Sequence, residues 1–269
     1  MDSKKRIIDG IEISLREPDI THYKWIGRDE EMRFLLASWL QIDKEDLPMT
    51  PVLVGDPGNG KTTLACASAQ EFNQPAYLMN CTSDMRPEDL IVTPVISSGN
   101  QIKYRGSPLV SAVINGGVCV LDEANRMNEK CWASLAPLLD DRRYVESVIA
   151  GVKIKAHSDF RFVATMNDDP STYTIPGYIE SRLKPVIEVE PPSGEVLRAI
   201  VKANVPYASE DLIESVIQHM LKDEDAFLSR SFSIRDAIEV TRYAVRLSRK
   251  GEDYQKSFEY IMKTGSESL

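Results

Sequence analysis

Apolar positions follow two different patterns along the 269 residues of the chain. Through the first two thirds they collect in short runs: "PVLV" (51–54), "AYLMN" (76–80), "VCVLDE" (118–123), "RFVATMN" (161–167) and "PVIEVE" (185–190). Runs of this length suit strands buried on both faces, and helix-like stretches separate several of them. The pattern predicts an α/β fold with five strands in a parallel sheet. Two other segments read as hairpins. "IVTPVISSGNQIKYR" (91–105) sets Ser-Ser-Gly-Asn between two β-like arms, and "RRYVESVIAGVKIKA" (143–156) sets Ala-Gly between alternating runs. Neither is needed to complete the sheet, so both are predicted insertions.

Beyond "EPPSG" (190–194) the pattern changes. "EVLRAIVKAN", "SEDLIESVIQHML", "IRDAIEVTRYAVRLSRK" and "DYQKSFEYIMK" all place apolar residues at i, i+3, i+4 and i+7. Ser209 and Ser233 are predicted N-caps, and Gly251 a helix stop after Lys250. With a boundary near Pro191–Pro192, the chain divides into an N-terminal segment (1–26), an α/β part (27–191) and a small helical domain (192–269).

The junction after the first run carries chemistry. "GDPGNGKTT", from Gly55 through Asp56, Pro57, Gly58, Asn59, Gly60, Lys61 and Thr62 to Thr63, fits G-x-x-x-x-G-K-[ST]. Three glycines and a proline in six residues suit a backbone that turns sharply and points several N–H groups at one anion. A strand precedes it and an Ala/Thr-rich helix follows, so phosphates would sit on a helix N-terminus. Lys61 would reach the β- and γ-phosphates, and the Thr62 hydroxyl would hold Mg²⁺. Nucleoside triphosphate binding follows.

"VCVLDEANR" (118–126) ends an apolar strand in two carboxylates, where open α/β sheets bind ligands. Asp122 suits a role on Mg²⁺ through water, and Glu123 a base for water attacking the γ-phosphate. Asn167, ending another strand, would orient that water or simply cap the strand. Arg182 and Arg235 are single arginines that read equally as solvated side chains. Arg235 falls in the first turn of a predicted helix, the end that disfavours a cation, so an anionic partner would account for it.

Charge narrows the partners. The chain carries 32 basic and 41 acidic residues, net −9, which weighs against a nucleic-acid binder. Its four cysteines have no C-x-x-C spacing and, with three histidines, no zinc pattern; Cys66 and Cys119 read as buried thiols. No apolar run is long enough to span a membrane, and "MDSKKRIIDG" lacks a signal-peptide apolar region. The expectation is a reduced, soluble, cytoplasmic protein.

Together these segments resemble the AAA+ ATPases, and within them the MoxR-like group with its CbbQ/NorQ-type relatives, over about residues 27 to 250. "IGRDEEMRFLLASW" (26–39) is similar to the family's opening segment beside the adenine, and "GDPGNGKTT" to its Walker A. "DLIVTPV", "YRGSPLVSAVINGG" and "VCVLDEANR" resemble the helix-2 insertion, the helix after it and the Walker B strand with D-E-x-N-R. The resemblance implies a P-loop AAA+ core with helices on both sheet faces and a C-terminal helical lid. It makes Asn167 sensor 1, Arg182 the arginine finger given to a neighbouring subunit, and Arg235 the lid's sensor 2. The hairpin at 143–156 becomes the pre-sensor-1 insertion, and Asn80 the polar residue that can hold Glu123 inactive. It further implies ATP and Mg²⁺ at subunit interfaces of a ring, usually of six.

The reading that follows is an ATP-hydrolysing remodelling or chaperone ATPase acting on a partner protein. A von Willebrand A-domain protein is carried over as a candidate partner, and the hairpin at 91–105 as the element that contacts substrate. The alternative is a nucleic-acid-associated AAA+ motor or clamp-loader-like ATPase, which the acidic balance disfavours. A P-loop kinase is disfavoured by the late arginine and helical lid, and a silent scaffold by the intact set of polar residues.

Overall fold

The computed structural model describes residues 4–20, 22–43, 45–96, 100–168, 174–222 and 233–249. The predicted helix in "DYQKSFEYIMK" and the Gly251 stop lie outside them. In chain order the strands are β1 (Lys5–Ile8), β2 (Ile11–Ser14), β3 (Val52–Gly55), β4 (Ala76–Asn80), β5 (Val92–Ile96), β6 (Ile102–Gly106), β7 (Gly117–Asp122), β8 (Tyr144–Ser147), β9 (Val152–Lys155), β10 (Phe160–Asn167) and β11 (Val186–Glu188). The helices are α1 (Asp29–Trp39), α2 (Lys61–Glu71), α3 (Pro87–Leu90), α4 (Pro108–Asn115), α5 (Glu129–Leu135), α6 (Gly177–Glu180), α7 (Gly194–Asn204), α8 (Glu210–Lys222) and α9 (Ile234–Ser248). Two compact units result. One comprises Met1–Trp25, Glu30–Gly55 and Lys61–Glu188; the other Ile26–Asp29, Asp56–Gly60 and Val189–Leu269.

The five apolar runs of the sequence become one parallel sheet, ordered β11-β3-β10-β7-β4. The strands are apolar throughout because both faces are covered: β10 is buried from Phe160 to Met166 and β7 from Gly117 to Leu121. Helices α2 and α4 both pack on β7. The order puts β10 between β3 and β7, so the strand feeding the phosphate loop and the one ending in two carboxylates are not neighbours. Register sets Asn167 level with Gly55, and Asn80 level with Asp122. The polar strand ends therefore share one edge of the sheet.

Trp39 anchors α1 to this sheet. It is fully buried, its indole Nε1 donates to the Phe162 carbonyl at 2.9 Å, and its ring meets Phe72 edge-on at 5.7 Å. Trp39→Ala is expected to cost about 3–5 kcal/mol, because the cavity cannot close and a β10 carbonyl loses its donor. Denaturant unfolding measures this; a loss under about 1 kcal/mol would mean that α1 is not held through Trp39.

Both predicted hairpins are present, as β5–β6 and β8–β9. The first does not stand alone. The N-terminal segment, left without structure by the sequence reading, forms a hairpin of its own, β1–β2, and β2 runs parallel to β6 with Ile13 opposite Tyr104. The result is a four-stranded sheet, β1-β2-β6-β5, anchored by Ile13 and Leu15 in the main core.

The second unit is built on α7, α8 and α9. Leu197, Ile200, Val201, Leu212, Ile213, Val216, Ala237 and Ala244 form its core, joined by Ile26 and Val196. Ser193 and Ser233 cap α7 and α9, the latter in a reciprocal capping box with Asp236, and the Ser209 hydroxyl accepts from the Leu212 N–H at the start of α8.

Candidate nucleotide site

In the sheet unit the first turn of α2 and the end of β10 converge on Asp122 at the end of β7. Its Oδ1 accepts from the Thr62 hydroxyl and from the Thr165 hydroxyl, each at 2.6 Å. Thr165 also accepts the Glu123 N–H at 3.0 Å, so one side chain of the middle strand ties the carboxylate pair in place. Glu123 sits in the left-handed region, φ 55°, as the chain leaves β7 and enters a single 3₁₀ turn, Ala124–Arg126. That kink lifts its carboxylate off the line of the strand. Glu123 Oε1 faces the Asn167 amide at 3.4 Å, and Oε2 takes an ion pair from Arg126 Nε at 2.7 Å. Asn125 in turn donates to the Asn167 carbonyl at 2.8 Å. Asn80 is exposed at the end of β4. Among the described residues the side-chain partners of Glu123 are Asn167 and Arg126.

Lys61 opens α2 and is 5% exposed, with its ammonium donating back to the Gly55 carbonyl at 2.8 Å. Thr62 and Thr63 follow it on the first turn.

The tip of the loop, Asp56–Gly60, belongs to the second unit. Gly58 (φ 83°) shows why glycine stands there: a Cβ would lie 2.4 Å from the Ser233 side chain and 3.6 Å from Arg235 Cβ. Loop tip and first turn of α9 thus touch, which brings Arg235 beside the phosphate loop. Arg28 ties the same tip to Glu190, donating to the Asn59 carbonyl at 3.1 Å and the Glu190 carbonyl at 2.9 Å. Asn59 is 3% exposed, and its side-chain Nδ2 has no hydrogen-bond partner among the described residues.

These residues fit a nucleoside triphosphate. A lysine ammonium at a helix N-terminus, following a glycine-rich turn, is a donor set suited to phosphate oxygens. They also fit Mg²⁺. Thr62 and Asp122 supply two hard oxygens. No group of three His, Cys, Asp or Glu able to hold a metal exists among the described residues. An ion that takes most of its ligands from water and phosphates needs no more. The cysteines contribute no chemistry: all four are buried and free. Burial pushes the Cys66 and Cys81 thiols up to about 12 and Cys131 up to about 11, so all three stay protonated at neutral pH.

Arg182 is held elsewhere in the sheet unit. Its Nε and Nη2 lie 3.3 and 3.2 Å from Asp140 Oδ2, and Nη1 donates to the Tyr178 carbonyl. The sequence reading named Arg182 but missed Asp140, Arg126 and Thr165. The i,i+3 spacing of Glu123 and Arg126 was a signal for one of them.

A family model for the AAA domain of the dynein-related subfamily matches residues 51–183. NorQ of Paracoccus denitrificans is 34% identical over 142 residues, which cover 52% of this chain and 48% of NorQ. An uncharacterised protein of Staphylococcus epidermidis is 28% identical over 172 residues, and the chain spans 65% of its length and matches over 62% of its own. Among solved structures, the RuvB Holliday junction branch migration motor of Thermotoga maritima superposes with TM-score 0.58 at 17% identity, covering 88% of this chain and 70% of RuvB. NtrX of Brucella abortus in complex with ADP superposes with TM-score 0.59 at 15% identity, covering 84% of this chain and 51% of NtrX. At these identities the two structures speak for the fold alone. With the strand order, the phosphate loop and the acidic strand end on one sheet edge, the matched segment identifies residues 51–183 as an AAA domain, and the NorQ match, over about half of each chain, agrees with a MoxR-like resemblance.

Proposed function

We propose that this protein hydrolyses ATP to ADP and phosphate and uses the cycle to remodel a partner protein, as a chaperone-type ATPase. The observation that carries the reading is the arrangement around Asp122 and Glu123. One carboxylate is bonded to the Thr62 hydroxyl of the phosphate loop's helix, and the next is lifted toward Asn167. In this reading Lys61 and the N–H groups of Gly55–Gly60 bind the phosphates. Thr62 binds Mg²⁺ directly and Asp122 through water; the ion would neutralise phosphate charge. Glu123 accepts the proton of the attacking water, and Asn167 orients that water. Arg235 reaches the γ-phosphate beside Gly58.

Arg182 is bonded to Asp140 and Tyr178, and we assign it to the ATP of a neighbouring copy, in a ring whose expected number is six. The NorQ match favours a ring, and we take the substrate to be a protein. A von Willebrand A-domain protein is the partner class we propose. The anchored β5–β6 hairpin is the element we assign to partner contact. No helix among the described residues is long and apolar enough to cross a membrane, and we place the protein in the cytoplasm.

Phosphate release from MgATP by the purified protein, with and without duplex and single-stranded DNA, tests the reading. Turnover that DNA leaves unchanged, with no salt-sensitive gel shift, is expected from a chain of net charge −9. Absence of turnover at any protein concentration would refute ATP hydrolysis. Strong DNA stimulation would move the function to a nucleic-acid motor.

A further inference from the structure

The backbone of Arg182 is fixed: its N–H donates to the Ile179 carbonyl at 2.8 Å and its carbonyl accepts from the Thr50 hydroxyl at 2.5 Å. Its side chain is fixed separately. Of five guanidinium N–H groups, Nε–H and one on Nη2 go to Asp140 Oδ2, and one on Nη1 goes to the Tyr178 carbonyl. One N–H on each terminal nitrogen is left without a partner among the described residues.

Asp140 does not need Arg182 to be satisfied. Arg142 already grips it in a fork, Nε to Oδ1 at 3.0 Å and Nη2 to Oδ2 at 2.8 Å, and the Arg142 backbone N–H adds a third bond at 3.1 Å. Those hydrogen bonds, Arg142's first and Arg182's after it, hold the carboxyl down at about 2, so it stays ionised. A carboxylate neutralised by one arginine and then offered to a second leaves a positive trio, Arg142–Asp140–Arg182. Two of the Arg182 N–H groups have no partner among the described residues.

We propose that Asp140 is the positioning residue for Arg182, holding its guanidinium in one rotamer with two N–H groups presented to the phosphates of a neighbouring copy. This rests on the reading of Arg182 as a finger acting across the interface. A free arginine side chain gives up rotamer entropy when it is fixed. Asp140 fixes it before the neighbour arrives, so the neighbour's site meets a formed donor.

Mixed assemblies test this. The reference is Arg182→Ala subunits mixed with Lys61→Ala subunits, where interfaces pairing an intact loop with an intact arginine should recover activity. Asp140→Ala rings are expected to lose about tenfold or more in kcat, with KM and ATP affinity unchanged and part of the loss restored in Asp140→Glu. Mixed with Lys61→Ala, Asp140→Ala subunits should recover activity as Arg182→Ala subunits do, because their ATP sites are intact. Mixed with Arg182→Ala they should recover none, because both donate a faulty arginine. Size-exclusion chromatography with light scattering reports assembly, and Asp140→Asn, which keeps the shape and drops the charge, serves if the alanine variant does not assemble. Wild-type kcat in both Asp140→Ala and Asp140→Asn would overturn the proposal. So would recovery with Arg182→Ala but not with Lys61→Ala. If the reference mixture forms rings and recovers nothing, the trans reading of Arg182 fails instead.

Discussion

Glu123→Gln is expected to bind ATP about as well as the unsubstituted protein and to turn it over at least about a hundredfold more slowly. Glutamine keeps the length and the oxygen that accepts from Asn167 at 3.4 Å. It removes the one thing the reaction needs there, an oxygen able to take a proton from water. The change also breaks the ion pair with Arg126, but that loss is small. The two side chains are 35% and 46% exposed and three residues apart, and such pairs contribute about 0–1 kcal/mol. Stability and turnover should therefore separate. Melting temperature stays nearly constant while phosphate release per subunit collapses and ATP-bound assemblies accumulate. Turnover within a few-fold of wild type would make Glu123 a structural residue that fixes the 3₁₀ turn through Arg126.

Lys61→Ala is expected to weaken ATP binding at least about a hundredfold, on the order of 3 kcal/mol. Lys61 is 5% exposed and folded back on the Gly55 carbonyl. Its charge stands at the N-terminus of α2 and largely out of water, so a triphosphate meets a positioned cation. Alanine removes that cation and leaves the Gly55 carbonyl without its donor. A fluorescent ATP analogue titrated into the Lys61→Ala protein reads the effect. Unchanged affinity would mean that phosphates are not held at this loop.

Much of this site is legible in the sequence because its parts are local. A strand, a glycine loop and a helix must be consecutive to cradle phosphate, so nine consecutive residues declare them. The acidic strand end is equally local. What joins those parts is not local. Thr165 reaches Asp122 and Glu123 only because β10 is inserted between β3 and β7, and nothing in "VATMN" singles out its threonine. Asp140 meets Arg182 across 42 residues, and one aspartate in "LLDDRRYV" is not distinguishable from its neighbour by pattern. Asn80, the polar residue the resemblance set against Glu123, stands level with Asp122. In the structure Arg126 and Asn167 take the glutamate.

The N-terminal hairpin is a different case, since its local signal was present. "RIIDGIEI" alternates around Asp9-Gly10, and both residues adopt positive φ, 49° and 81°, as a two-residue hairpin turn requires. Its destination was not visible. The parallel pairing of β2 with β6 joins Ile13 to Tyr104, and long-range pairing of that kind leaves no mark in either segment alone.

The central proposal is that each ATP is completed by Arg182 of a neighbouring copy. The most direct measurement is phosphate release per subunit as a function of protein concentration, with oligomeric state followed by light scattering on the same samples. Specific activity should rise with concentration as monomers assemble and fall toward zero on dilution to monomers. Isolated monomers that hydrolyse ATP at the full rate would contradict it.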